Sequence, residues 1–285
     1  MKLSSLKYFF TYETKIPDGI GFKLFGIWHI LCLLLCLAVT VVSLHWYWKA
    51  KAQKKQKFEK AIAMSLVGWM ILRAIYIAVI GENFLYELPF HLCSMTGILC
   101  GIHCFTKWKW LGQMLYALCL PGAILALLFP NWNAYPLIHF ISLEAILFHL
   151  GIILYVTCLL TSHEIVPQMK KMWQVIVFLA VVVPPIYVFD KKYQVNYMFV
   201  NRPSGGSPLE WLAQWMGNPG YLLGYAGLIL LCIFLMDLGY ENSQEVNDRY
   251  FFRTCGGREG SLPRSFCMPR WMASLEFFQS ASRFL

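Results

Sequence analysis

An all-α bundle of about seven membrane-spanning helices is predicted by three features of the sequence. First, 58% of its 285 residues are hydrophobic and only 14% are charged, with a mean hydropathy of +0.54. Soluble domains carry about 25% charged residues, so the polar side chains here are too few to cover a surface in water. Second, seven apolar stretches approach the ~20 residues that a spanning helix requires. Third, none of these stretches alternates polar and apolar residues as the ~10-residue strands of a barrel do.

The stretches, in order, are Leu24–Trp46, Ala61–Ile80, Leu88–Phe105, Trp110–Phe129, Leu137–Leu160, Trp173–Phe189 and Gly220–Leu238. The first begins after more than twenty residues, is long and has no small-x-small cleavage site, so it reads as a span and not as a leader. The third and sixth are short, and Pro184-Pro185 is expected to break the sixth. Residues 1–23 form an outer segment, 24–246 the helical domain and 247–285 a tail.

Basic residues predict the orientation. The loop after the first span carries Lys49, Lys51, Lys54, Lys55, Lys57 and Lys60. Later connections on that side add Lys107, Lys109, Lys170 and Lys171, and the tail adds six arginines. Sixteen basic residues thus gather on one side against seven on the other. The positive-inside rule places the N-terminus outside and the C-terminus inside, as an odd number of spans requires. The net charge of +9 is accounted for by these residues and their attraction to anionic lipid, with no nucleic-acid motif present.

Eight of the ten cysteines fall in spans, and no CxxC occurs. They read as small buried hydrophobes and not as a disulfide framework. His91, Cys93, Cys100, His103 and Cys104 lack the common face of a metal cluster, so no metal or cofactor is expected. The tail holds six arginines and no lysine, the reverse of residues 1–246, and has no helical period. It is expected to be poorly ordered and dispensable.

Ionisable groups at membrane depth are costly and therefore informative. Arg73, His139, Ser142, Glu144 and His149 fall in the outer halves of their spans. Glu82, Glu87, His91, Cys93, Asn131, Asn133, Asp190, Asn196, Tyr197 and Arg202 lie at outer ends or in outer loops, and His29 lies near the start of the first span. A polar pocket opening outward is expected, with almost no inner counterpart. Arg73 is expected to pair with Glu82, Glu87 or Glu144. Cys93, Thr96, Gly97 and Cys100 follow i, i+3, i+4, i+7 and form one stripe. Cys93 on that stripe and His149 on the fifth span fit a thiol nucleophile and its general base. They equally fit a buried apolar residue and a helix–helix hydrogen-bonding partner. In the last outer loop, Asn196-Tyr197-Met198-Phe199 and Asn201-Arg202-Pro203 precede Leu209–Trp215, which reads as an interfacial helix. This aromatic loop is expected to fold back over the pocket as a lid.

Leu88-Pro89-Phe90-His91-Leu92-Cys93, His139-Phe140 with His149, and Asn196–Phe199 with Arg202-Pro203 resemble the recurrent segments of YwaF-type bacterial integral membrane proteins. The eukaryotic relatives of that family form the transmembrane protein 164 family. The sequence departs from the pattern at Phe90, Ser94 and Arg202. The resemblance spans roughly residues 20–240 and implies transfer of fatty acyl chains onto ether lysophospholipids. It further implies Cys93 as nucleophile, with His149 or, alternatively, His139 as base. From the placement of the polar residues, Arg73, His91, His139, Asn196 and Arg202 are expected around the substrate. Membrane lipids are then the partners and the cell membrane the location. The competing expectation is a solute transporter or receptor using Arg73, Glu144 and His149; the absence of an inverted repeat speaks against it.

Overall fold

The computed structural model describes the backbone of residues 3–255 and the side chains of residues 6–240. Among these residues the structure is helical, without strands. The chain divides into two units, residues 1–234 and 235–285. The second begins within the last helix, which runs to Cys255. The expectation for 247–285 falls mostly outside the described residues.

Six helices are long and apolar enough to cross a membrane. They are α1 (Ile27–Lys49), α2 (Ala52–Ile80), the continuous rod Lys109–Leu128, α6 (Phe140–Thr161), α7 (Met172–Tyr193) and α9 (Tyr221–Cys255). The rod comprises α4 (Lys109–Met114), a π-helical turn (Leu115–Cys119) and α5 (Leu120–Leu128). The expected third span is a shorter apolar helix, α3 (Leu92–Thr106), of 15 residues. At 1.5 Å per residue it reaches about 22 Å, against the ~30 Å of a bilayer core. The count that length supports is therefore six, with α3 as an additional shorter helix. A further helix, α8 (Pro208–Met216), is amphipathic and exposes Trp211 and Trp215.

Local chemistry accounts for the irregularities. Pro121 has no N–H to give and its ring crowds the preceding turn, and the ladder widens just before it, with Leu120 N–H bonding to Leu115 O. Pro184 and Pro185 do not break α7, contrary to expectation: the helix continues to Tyr193. Gly81, at φ +70°, closes α2 in the left-handed conformation that glycine adopts without strain.

The buried centre of residues 1–234 is made by the Lys109–Leu128 rod and α6, while α1 and α7 lie at the periphery. α2 packs against α3 and α6, and α6 also receives α1 and α5. A β-carbon at Gly97 would meet Phe148 Cζ at 2.8 Å and Met70 Sδ at 2.9 Å. That glycine lets α3 nest between α2 and α6. Outward faces bear Leu34, Leu35, Val42, Val79, Val181 and Leu223, all exposed. So much exposed apolar surface has lipid as its natural solvent.

Candidate functional site

The site begins with one cation. Arg73, two turns before the end of α2, donates from Nε to Glu87 Oε2 and from Nη1 to Glu144 Oε2, both at 2.8 Å. The expected pairing is thus made with two of the three acids. Glu82 pairs instead with Lys15, also at 2.8 Å. Glu87 comes from the loop before α3 and Glu144 from the first turns of α6, so Arg73 ties three segments together.

His149 lies one turn beyond Ala145 on α6 and is buried. Its Nδ1 is 2.6 Å from Ala145 O. A carbonyl only accepts, so Nδ1 carries the proton and the neutral ring leaves Nε2 with its lone pair free. The ring stacks on Trp132 at 5.2 Å between centroids. Trp132 Nε1–H is buried and without an acceptor. His91 has the opposite tautomer: its Nδ1 accepts from Met198 N–H at 3.4 Å, leaving Nε2–H as a donor. Gly97, one turn after Cys93 on α3, packs against Phe148, the neighbour of His149 on α6, so these two stretches of helix face each other. Among the described residues no hydrogen bond joins Cys93 to His149. The stripe that begins at Cys93 turns inward, with Thr96, Gly97 and Cys100 buried.

The other expected residues occupy different positions. His139 uses both ring nitrogens, accepting from Ile141 N–H and donating to Thr11 O, each at 3.0 Å. It caps α6 and anchors the N-terminal segment. Asn196 Oδ1 accepts from Asn201 N–H and Arg202 N–H at 3.2 and 2.9 Å, closing its own loop. The Arg202 side chain is exposed.

The loop after α7 does fold over the start of α3. Tyr197 OH accepts from Leu88 N–H at 2.9 Å and donates to Leu85 O at 2.5 Å, with its ring edge-on to Phe90 and His91. Met198 and Phe199 are both left-handed, at φ 51° and 57°. Each such residue costs about 1 kcal/mol or more, offset by the packing of Tyr197.

Three features escaped sequence reasoning. Trp132 lies in a loop where tryptophan reads as an interfacial anchor. The N-terminal segment covers the Arg73 end: Tyr12 OH reaches Glu87 at 3.4 Å, Tyr76 OH donates to Phe10 O, and Phe22 N–H donates to Tyr135 O. A β-carbon at Gly21 would lie 2.2 Å from Asn133 O, so only glycine allows that approach. Burial raises the Glu13 carboxyl above its usual range, reinforced by Glu87, and raises Tyr12 to about 12. Burial lowers the His139 imidazole, against the carbonyls it bonds.

The third feature corrects the expectation of an almost apolar inner half. Glu59, buried, accepts from the Tyr47 hydroxyl and lies 3.4 Å from Lys107 Nζ. Lys107 also meets Glu164 at 2.7 Å, and His103 Nδ1 lies 3.1 Å from Tyr155 OH. These groups cross-link α1, α2, α3 and α6 at the end opposite Arg73.

Apolar spanning helices around buried charge define a multi-pass integral membrane protein. Residues 24–237 match the model of the TMEM164 family, and the chain belongs to that family. No curated protein and no solved structure matches it.

Proposed function

We propose that the chain transfers an acyl group between membrane lipids through Cys93. The carrying observation is the His149 tautomer: with Nδ1 committed to Ala145, Nε2 is left to accept a proton on the stretch of α6 that packs against α3, the helix of Cys93. Membership of the TMEM164 family supports the same reading. His149 Nε2 takes the thiol proton as Sγ attacks the ester carbonyl of a donor lipid. The tetrahedral intermediate collapses to acyl-Cys93, and the departing lysolipid oxygen receives that proton. An acceptor hydroxyl then gives its proton to His149 and attacks the thioester, restoring the thiol. His91 Nε2–H and Trp132 Nε1–H are donors free to face the developing oxyanion. Arg73 acts from its place between two carboxylates as the fixed charge of the site. His139 is the weaker base, because both its nitrogens are engaged. Arg202, exposed in the loop after α7, suits a lipid phosphate.

The test is transfer of a labelled acyl chain by the full chain in proteoliposomes, with intact-mass detection of acyl-Cys93. Cys93→Ala is expected to abolish both signals, and His149→Ala to slow transfer at least about 100-fold. Undiminished transfer by folded Cys93→Ala would overturn the reading. The half-buried Arg73–Glu144 pair at membrane depth favours one alternative, solute transport. Uptake that needs Arg73 but not Cys93 would replace acyl transfer with it.

A further inference from the structure

At the end opposite Arg73, a cleft of about 400 Å³ lies where α4 and α7 begin. It is lined by Trp108, Lys109, Trp110, Lys171 and Gln174, with no carboxylate among them. Three observations give it a chemistry. Lys109 and Lys171 form no ion pair among the described residues, whereas nearby Lys107 is held by Glu59 and Glu164. Trp108 and Trp110 stack at 6.1 Å and are both exposed, offering a broad aromatic wall. Gln174 Oε1 is buried and accepts no hydrogen bond, so an acceptor waits beside two free cations. The next residues along α7 include exposed Trp173, Ile176 and Val177, so the apolar girdle starts at the cleft. Tryptophan and lysine at such a boundary match the headgroup layer of a bilayer.

We propose that this cleft binds the headgroup of an anionic phospholipid. The phosphate lies between Lys109 and Lys171, a headgroup hydroxyl or ammonium donates to Gln174 Oε1, and the glycerol rests on the tryptophans. The source is membrane lipid, because the cleft adjoins the apolar girdle. This site is separate from the Cys93 neighbourhood and does not depend on acyl transfer.

The test is native mass spectrometry of the full chain in detergent, titrated with phosphatidylglycerol, phosphatidylcholine or soluble glycerol 3-phosphate. Phosphatidylglycerol is expected to bind at least tenfold more tightly than the other two. Lys109→Gln with Lys171→Gln should erase that preference. Lys54→Gln with Lys57→Gln, which removes the same charge from exposed positions at the same end, should preserve it. Gln174→Leu should weaken phosphatidylglycerol several-fold, and the single variant Lys171→Gln serves if the double variant does not fold. An unchanged preference in the Lys109/Lys171 variants, or an equal loss in the Lys54/Lys57 control, would overturn the proposal. Glycerol 3-phosphate binding as tightly as phosphatidylglycerol would overturn the lipid source.

Discussion

Arg73 illustrates how far single residues are legible in such a chain. A guanidinium in an apolar helix must be paired, and its partners came from three acids near the same level; Glu87 and Glu144 take it. Glu59 was illegible for the opposite reason. Set among lysines it reads as part of a solvated charge run, and its burial depends on Tyr47 and Lys107 from other segments. His139 and His149 look alike in sequence, and only long-range placement separates an occupied ring from one with a free nitrogen. Gly21→Ala is expected to cost about 1–3 kcal/mol, read as a fall in melting temperature and faster proteolysis within residues 8–20, because the obstructing atoms are backbone. Two groups under that segment titrate in opposite directions. His139, held below its usual value of 6.5, contributes stability that is present above 6.5 and lost as pH falls toward its lowered folded value. Glu13, held above 4.5, contributes the reverse: a penalty at neutral pH that eases as pH falls through its raised value. In Glu13→Gln only the His139 effect remains. The protection of amides in residues 8–16 against hydrogen exchange, taken relative to their intrinsic rate at each pH, should then fall on going from pH 7 to 5, more than in the parent; identical profiles would contradict this.

At the scale of elements, hydropathy located every long helix, because apolar length is a local property. It misjudged the ends and the prolines. The start of α2 reaches back to Ala52 through a lysine-rich turn, and α7 passes through Pro184 and Pro185. The cross-link at the Glu59 end joins four helices and predicts unequal costs. Lys107→Met leaves the buried Glu59 carboxylate with the Tyr47 hydroxyl and should destabilise by about 1–3 kcal/mol, a buried-pair cost reduced by the partial exposure of Lys107. Glu164→Gln removes a more exposed partner and should cost less than about 1 kcal/mol. Equal melting temperatures for the two variants would show that Glu59 is not the anchor.

For the whole molecule, the length of α3 decides topology. Seven crossings put the termini on opposite sides of the membrane, and six put them on the same side. The charge asymmetry of the loops predicts seven, whereas 15 residues of α3 fall short of a full crossing. Epitope tags at the two ends separate these outcomes. An N-terminal tag reached by antibody on intact cells, with a C-terminal tag reached only after permeabilisation, is expected from the charge pattern. Both tags on one side would make α3 a half-crossing helix held by its neighbours.

The two segments laid across the Arg73 end also govern how molecules arrive. With Tyr12 on one side and Tyr197 on the other bonded to the stretch Leu85–Leu88, the direct route from water is roofed. A reagent would then meet Cys93 at the concentration it reaches in the hydrocarbon phase, not in the buffer. Among alkylating agents of equal intrinsic reactivity, the rate at Cys93 should follow the oil–water partition coefficient, and a permanently charged thiol reagent should be the slowest of the series.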